Sequence, residues 1–425
     1  MSSQLAEISP VVKQLNVVVD GQSITKELDK AYRKLGEQVS IKGFRQGKIP
    51  RQVLERYYRK DVEQDVLGKL IGEAFRDAVV EHKMEPVANP DINVGEFVPG
   101  QDLSFSARVE VRPTISLKDY KGLPATEPAW SVSDEDVERA VEEKRLLSST
   151  VVPVEGRDTV QEHDLCTCNF SSAVDGVEYV GGQGSAYVIE PGAGIFVKGV
   201  EDALVGKKLG EAFEVDAQLP ESFRNREVAG KVAHFKVTVT DLKTRQMPTL
   251  DDEFAKDVGD FEGLADLRKK LREDLEKQAK SHAEEKAKEE LIKLLIDRNP
   301  FELPPSLVER QIDASLYSMV GRLNADQMSR LGLDRQKLRE DLREGAVRSV
   351  RTVLLLEAVA DEEKIELPPD ELELYFHRTA MATGQAIHRV REAFRNEDRL
   401  TELKARMRRE RALDLVYKAA TINRG

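Results

Sequence analysis

Cysteine is almost missing from this chain: there are two among 425 residues, Cys166 and Cys168. Residues two apart on a strand face the same way, so the pair cannot staple distant segments. It reads as two small apolar residues in a reduced core. A metal site built on them needs two more ligands, and the six histidines are scattered far away; His377 and His388, eleven apart, have poor ligand spacing, so no metal is expected. Aromatics are only 6%, with one Trp, which points to aliphatic cores. Apolar runs such as Val353 to Leu356 fall far short of the ~20 residues a membrane span needs. The opening residues Met-Ser-Ser-Gln-Leu-Ala-Glu-Ile carry neither the basic nor the apolar region of a signal peptide. The expectation is a soluble cytoplasmic protein with no membrane partner. Nucleotide signatures are also lacking. Gly182-Gln183-Gly184 and Gly192-Ala193-Gly194 are lone G-x-G fragments, and no P-loop lysine pattern occurs, so no cofactor and no ATP use are expected. A net charge of −12 excludes a protein that simply coats nucleic acid.

Charge, at 33%, and apolar residues, at 40%, are plentiful, and they are distributed in regions of different texture. Residues 1–112 read as a compact α+β unit. Leu15, Val17 and Val19 share one face of a strand over 11–19, which Asp20-Gly21 ends. Ile24, Leu28, Ala31 and Leu35 recur at helical spacing. After a loop at 40–49, Pro50 suits the first turn of a short helix, and Leu67, Leu70, Ile71, Phe75, Ala78 and Val79 mark a longer one. Residues 92–98 and 102–111 read as a hairpin, because Leu103, Phe105, Ala107, Val109 and Val111 alternate strictly after Pro99-Gly100.

Residues 113–155 form a connector. Pro113, Pro124 and Pro128 keep its first part extended, and Ser133-Asp134-Glu135-Asp136 starts a helix with carboxylates where the helix dipole favours them. Val137, Val141 and Leu147 are too few for a core, so the segment is expected to pack on the helical region, although the β domain intervenes in sequence. Residues 156–244 hold ten of the 27 glycines, between Gly176 and Gly230. The runs Cys166–Phe170, Tyr187–Ile189, Ala212–Ala217 and Val232–Leu242 predict a small antiparallel β domain. Residues 245–425 are helical. A thin stripe from Leu264 to Leu295, rich in alanine in its middle, predicts a helix of about 36 residues and ~54 Å, an extended arm. Phe301-Glu302-Leu303-Pro304-Pro305 returns as Ile365-Glu366-Leu367-Pro368-Pro369, each followed by a helical pattern, which describes two arms built alike.

One basic segment departs from the acidic whole. Residues 41–60 contain seven Lys or Arg and one Glu, and they begin Ile41-Lys42-Gly43-Phe44-Arg45-Gln46-Gly47-Lys48-Ile49-Pro50-Arg51. Two glycines allow tight turns. An aromatic between cations suits an anionic surface with an apolar notch, such as ribosomal RNA with its bound proteins. The residues alone leave it open whether Phe44 stays exposed or tucks into its own core.

Gly-Phe-Arg-Gln-Gly-Lys-Ile-Pro at 43–50 resembles the ribosome-binding signature of bacterial trigger factor, whose usual form is Gly-Phe-Arg-Lys-Gly-Lys-Val-Pro. The family's Phe-Arg-Lys core falls on Phe44, Arg45 and Gln46. The third position has lost its charge here, with Lys48 and Arg51 close by. The resemblance implies that Gly43, Phe44, Arg45, Gln46, Gly47 and Lys48 dock the protein on the ribosome near the nascent-chain exit tunnel, where it binds nascent and unfolded polypeptides. It also implies a multidomain α+β architecture, with a ribosome-binding domain, a β domain resembling the FK506-binding proteins and an extended all-α domain. Asn169-Phe170-Ser171, Val174 to Tyr179, Gly199-Val200-Glu201-Asp202 and Leu219 to Phe223 carry the likeness of the β domain to a peptidyl-prolyl isomerase.

In that likeness the pocket falls on Phe170, Tyr179, Tyr187, Phe196, Val197, Phe223 and Phe235. No nucleophile is needed. The barrier to X–Pro rotation is about 18–20 kcal/mol because resonance is lost on twisting, and a dry aromatic slot favours the less charge-separated twisted amide. This chain departs from the family at the pocket floor, normally Trp or Phe and here Val200, and after the Tyr179 position, normally acidic and here Val180. Those departures point to weak or absent turnover and leave binding of apolar peptide in place. On the helical region Ile312, Leu316, Met319, Val320 and Leu323, with Met381 beyond them, are candidate contacts for unfolded chains, Met being adaptable; the same stripe reads equally as core. The runner-up reading is an isomerase whose other domains deliver substrate. A periplasmic chaperone-isomerase and an RNA-binding protein using 41–60 are weaker. Whether the free protein forms a homodimer is left open.

Overall fold

A computed structural model of the chain describes residues 2–424 apart from 43, 46, 224, 324–326 and 329–331, and also leaves out the side chain of Val180. The chain divides into two compact units, Met1–Pro128 with Glu284–Gly425, and Ala129–Ala283.

In the first unit, β1 (Ser2–Ser9), β2 (Val12–Val19), β3 (Asp91–Val94) and β4 (Leu103–Glu110) form an antiparallel sheet in the order β1-β2-β4-β3. The alternation read from the sequence sets its inner face: Leu103, Phe105, Ala107 and Val109 are all buried. Helix α1 (Gly21–Gln38) starts at Asp20, whose side chain accepts the Ser23 N–H, a cap that satisfies one of the free donors of the first turn. Its buried face, Ile24, Leu28 and Tyr32, joins the sheet core. The short helix after Pro50 and the longer one after Leu67 are a single helix, α2 (Arg51–Glu81). No Pro or cap interrupts it, and Leu54, Val62, Val66, Leu70, Ala74 and Ala78 keep one continuous buried stripe. The first strand, β1, was not legible because its side chains are mostly exposed and carry no alternation.

The helical part of this unit comprises the end of α6 (Leu264–Arg298), α7 (Pro305–Val320), α8 (Arg335–Glu362), α9 (Pro369–Thr383), α10 (Ile387–Ala393) and α11 (Glu397–Ala419). The repeated Pro-Pro corners do equivalent work: Pro304 and Pro368 are N-caps, and Pro305 and Pro369 open α7 and α9, where a missing N–H costs nothing. Leu291, Leu295, Leu355, Val359, Ala412 and Val416 form a core that also takes in Leu123 and Ala125. The first part of the connector thus finds the partner it lacked. Its strand β5 (Pro124–Glu127) pairs in parallel with the terminal strand β11 (Thr421–Arg424). A second cluster, Phe376, Val390 and Leu403, holds α9, α10 and α11 together.

In the second unit, α3 (Asp134–Leu147) opens with a reciprocal capping box between Ser133 and Asp136. Val141 packs with Phe254 and Ala255 of α5 (Asp252–Val258) and with Leu267 of α6; Leu147 is exposed. The β domain contains β6 (Thr150–Pro153), β7 (Leu165–Val174), β8 (Val177–Ile189), the short helix α4 (Lys198–Leu204), β9 (Ala212–Gln218) and β10 (Val232–Gln246). The order is β6-β10-β7-β8, with β9 also on β10, all antiparallel. Cys166 and Cys168 are free and fully buried on the core face of β7.

Candidate functional site

Three places gather the residues singled out from the sequence. The first is the basic loop between α1 and α2. Helix α1 closes where the Val39 N–H reaches the Leu35 carbonyl. Ile41 and Ile49 then turn inward onto the sheet core, and between them the chain is thrown outward. The Gly47 N–H returns to the Gly36 carbonyl at 2.9 Å. Gly47 has φ +80°, a conformation that glycine adopts without strain. Pinned at its base, the loop presents Phe44 with 40% of its surface exposed, and Arg45 and Lys48 are exposed beside it. Among the described residues, no carboxylate pairs with Lys42, Arg45 or Lys48 within 4 Å. Arg51, at the start of α2, is tied to Asp29 and Glu55 and lies over the Tyr32 ring. Gly43 and Gln46 lie outside the described residues.

The second is the β domain's aromatic cluster. Phe170 of β7 meets Tyr187 of β8 at 5.7 Å, Phe196 at 5.1 Å and Phe235 of β10 at 6.3 Å between ring centroids, mostly edge to face. Tyr187 and Phe196 are 5.5 Å apart. Tyr179 and Phe223 form a neighbouring pair at 6.1 Å. A β-carbon at Gly184 would lie 2.4 Å from the Phe170 ring, so glycine lets that ring lie flat on β8. Phe235 is core, Phe170, Phe196, Tyr179 and Phe223 are half-buried, and Tyr187 is exposed. The cluster is therefore closed below and open above. Val197, the N-cap of α4, and Val200, in its first turn, are buried in the same core, Val200 completely.

Sequence reasoning gave no role to Glu201. Its carboxylate is buried and accepts the Gly192, Gly194 and Phe196 N–H groups at 3.2, 2.9 and 2.6 Å. It fixes the loop that delivers Phe196. An acidic residue next to Val200 and one turn from Leu204 by helical spacing, on the side that should be buried, was the available signal. Beside this loop Ile195 is 83% exposed, and Val188 of β8 is also exposed.

The third is the end of α7. Ile312 is fully buried against Ala346 of α8. Leu316 and Val320 are also buried, yet together with Leu323 they floor a recess of about 480 Å³ that Tyr317 and Met328 help enclose. Met319 and Tyr317 are exposed. Arg339 of α8 binds both Glu309 and Asp313 of α7, and Arg343 reaches Glu309 at 2.7 Å, clamping the two antiparallel helices below the recess. These arginines hold the Glu309 carboxyl below the usual range, Arg343 most strongly. Met381 of α9 is 85% exposed.

Among the described residues no group of three or more His, Cys, Asp or Glu could hold a metal ion, and no helix is long and apolar enough to cross a membrane.

Comparison with known proteins bears on all three places. The family profile described as bacterial trigger factor protein (TF) matches residues 1–144, and that of its C-terminus matches 263–418. Between them, FKBP-type peptidyl-prolyl cis-trans isomerase matches 156–240. A trigger factor of Anaeromyxobacter sp. (strain Fw109-5) is 40% identical over 427 residues, covering 99% of both chains. One from Halalkalibacterium halodurans is 35% identical and covers 95% of each. A solved structure described as "Promiscuous Substrate Recognition in Folding and Assembly Activities of the Trigger Factor Chaperone" has the same fold, with a TM-score of 0.54 and 22% identity, covering 98% of this chain and 99% of that one.

Proposed function

Because the chain belongs to the bacterial trigger factor family, we propose that it is a ribosome-associated, ATP-independent chaperone with an FKBP-type domain, acting in the cytoplasm on nascent and unfolded polypeptides. The observation that carries the docking role is the exposure of Phe44 between cations that have no acidic partner among the described residues, on a loop pinned at its base. Such a tip offers charge and an apolar contact together and needs no rearrangement to bind. Phe44, Arg45 and Lys48 make the contact, Gly47 turns the loop, and Gly43 and Gln46 belong to the same docking motif. The test is cosedimentation with ribosomes. Phe44→Ala with Arg45→Ala should leave most of the protein unbound, whereas undiminished cosedimentation removes the loop from this role.

Client contact is assigned to the end of α7, where Leu316, Val320 and Leu323 floor an apolar recess and Met319 and Tyr317 stand at its surface. Ile312 supports it from within the α7–α8 core. Release without ATP follows from weak, multiple contacts: a client that buries its own apolar surface no longer offers it.

The aromatic cluster favours a second activity. Phe170, Tyr187, Phe196 and Phe235 present a half-open apolar slot, with Tyr179 and Phe223 beside it and Val197 below. Such a slot can hold a prolyl ring and exclude water from the twisting amide. Val200 in place of an aromatic floor offers less contact, so isomerisation of a proline-containing peptide should run well below the family's rate. A typical rate would show that the floor residue is dispensable. On this reading 1–112 docks, 113–155 connects, 156–244 binds prolyl segments and 245–425 holds clients.

A further inference from the structure

Beside the aromatic slot lies a buried carboxylate that pairs with no cation among the described residues. We propose that Glu201 is a positioning residue of that slot: it touches no substrate, and acts by holding the 191–196 loop so that Phe196 forms a wall. The proposal rests on the isomerase reading of the slot. It goes beyond that reading because it gives a function to a residue outside the aromatic cluster.

Glu201 is 2% exposed on the short helix α4, in sequence between Val200 and Leu204, which are both fully buried. The helix is thus fixed in the core, and Gly199 lets it press on β9, since a β-carbon there would lie 2.9 Å from the Ala217 side chain. The two carboxylate oxygens divide the work. Oε2 accepts the Gly192 and Gly194 N–H groups at 3.2 and 2.9 Å, and Oε1 accepts the Phe196 N–H at 2.6 Å. Gly192 and Gly194 have φ +89° and +68°, left-handed conformations that aim alternate N–H groups at one point, as in an anion-binding nest. These three donors are what offsets the loss of water around the carboxylate.

The loop has few other anchors. The Ala193 N–H returns to the Glu190 carbonyl and the His163 N–H reaches the Pro191 carbonyl, which secures only its start. Gly192, Ala193, Gly194 and Ile195 are all exposed, so no side chain packs inward before Phe196. Phe196 then meets Phe170, Tyr187 and Phe235 at 5.1, 5.5 and 6.1 Å between centroids. Those three rings stand on β7, β8 and β10, where ladder hydrogen bonds set their places. Phe196 stands on the loop, and a wall carried by a loop is held in place only by what supports it from behind.

The test uses the full-length chain and a proline-containing tetrapeptide. In the wild type, the Gly192, Gly194 and Phe196 amides should exchange at least about tenfold more slowly than those of an open loop; exchange at the open-loop rate overturns the anchor. Glu201→Gln keeps the size but leaves one acceptor oxygen, enough for the two glycines or for Phe196 and not for both. It should speed exchange across 192–196 and lower kcat/KM by about tenfold or more. Because one residue acts through the other, Glu201→Gln and Phe196→Ala should change kcat and KM in the same proportion, and the double variant should be no worse than Phe196→Ala alone. A merely structural role would lower the folded fraction: kcat falls, KM stays, and the two losses multiply in the double variant. That outcome overturns the proposal, as does a Glu201→Gln chain that fails to fold. A Glu201→Gln chain as active as the wild type overturns it too, and leaves the slot reading standing. A wild-type chain that neither binds nor isomerises the peptide overturns the slot reading, and the Glu201 assignment with it.

Discussion

Cys166 and Cys168 show what burial does to a reactive group. Desolvation in the β-domain core pushes the first thiol up to about 12 and the second up to about 11. Neither forms thiolate at neutral pH, so iodoacetamide at pH 8 should label both only after unfolding, at the unfolding rate; rapid labelling of the native chain contradicts this burial. His234 illustrates the opposite case. Its Nδ1 lies 2.7 Å from Asp216 and its Nε2 3.2 Å from Glu214, across the β9–β10 pair. The Asp216 hydrogen bond, with help from Glu214, raises its pKa above the ordinary 6.5. A group whose folded pKa is raised contributes stability fully below its unfolded pKa. That contribution fades as pH rises through the folded value. The stability difference between wild type and His234→Gln should therefore be largest below about pH 6 and vanish at higher pH. A difference that grows with pH contradicts the sign. Among the candidate site residues, the basic, glycine-flanked loop around Phe44 was legible because local composition sets a loop's polarity, whereas the exposure of Phe44 itself came only with the structure. Ile312 and Met319 were not separable by sequence, since they lie seven residues apart on one stripe of α7 and only the arrival of α8 decides which is covered.

At the scale of elements, periodicity carried most of the reading. The strand over 11–19, the hairpin ending in β4 and the helix over α1 follow from spacing two or between three and four. What spacing missed were elements stabilised by pairing rather than by a buried face: β1, β5, β6 and β11 are short or exposed and exist because a neighbouring strand supplies their hydrogen bonds. The β5–β11 pair yields a prediction. The Gly122 N–H bonds the Ala419 carbonyl and the Thr421 N–H bonds Leu123, so the last strand holds the connector onto the helical core. Removing residues 421–425 should speed backbone amide exchange at 123–127 at least tenfold; unchanged protection means that Leu123 and Ala125 hold the segment alone. Within the core beneath it, Leu295 is 2% exposed. Leu295→Ala should cost roughly 2–5 kcal/mol, read by chemical denaturation.

For the whole molecule the informative fact is how the β domain is inserted. β6 pairs antiparallel with the end of β10, Pro153 opposite Lys243 and Val151 opposite Arg245. The chain therefore enters and leaves the domain at adjacent points, and strands so paired lie about 5 Å apart. Excising 156–244 and joining the ends with a short Gly-Ser link should leave the α3–α5 cluster of Val141, Phe254 and Ala255 intact. Suppression of client aggregation should survive the excision and prolyl isomerisation should not. Loss of both would make the β domain essential to holding clients.

From the sequence alone came the local properties: the basic loop in an acidic chain, the β-rich insert, the helical end and the family likeness of 43–50. These depend on neighbours in the chain, through turn chemistry, side-chain period and local charge. Only the tertiary structure decided what comes from afar. It buried Ile312 and left Met319 in water, joined β5 to β11, and gathered Phe170, Tyr187, Phe196 and Phe235 from separate segments into one open slot. Burial is a property of which surfaces meet, and no residue carries in its own identity the surface that will cover it.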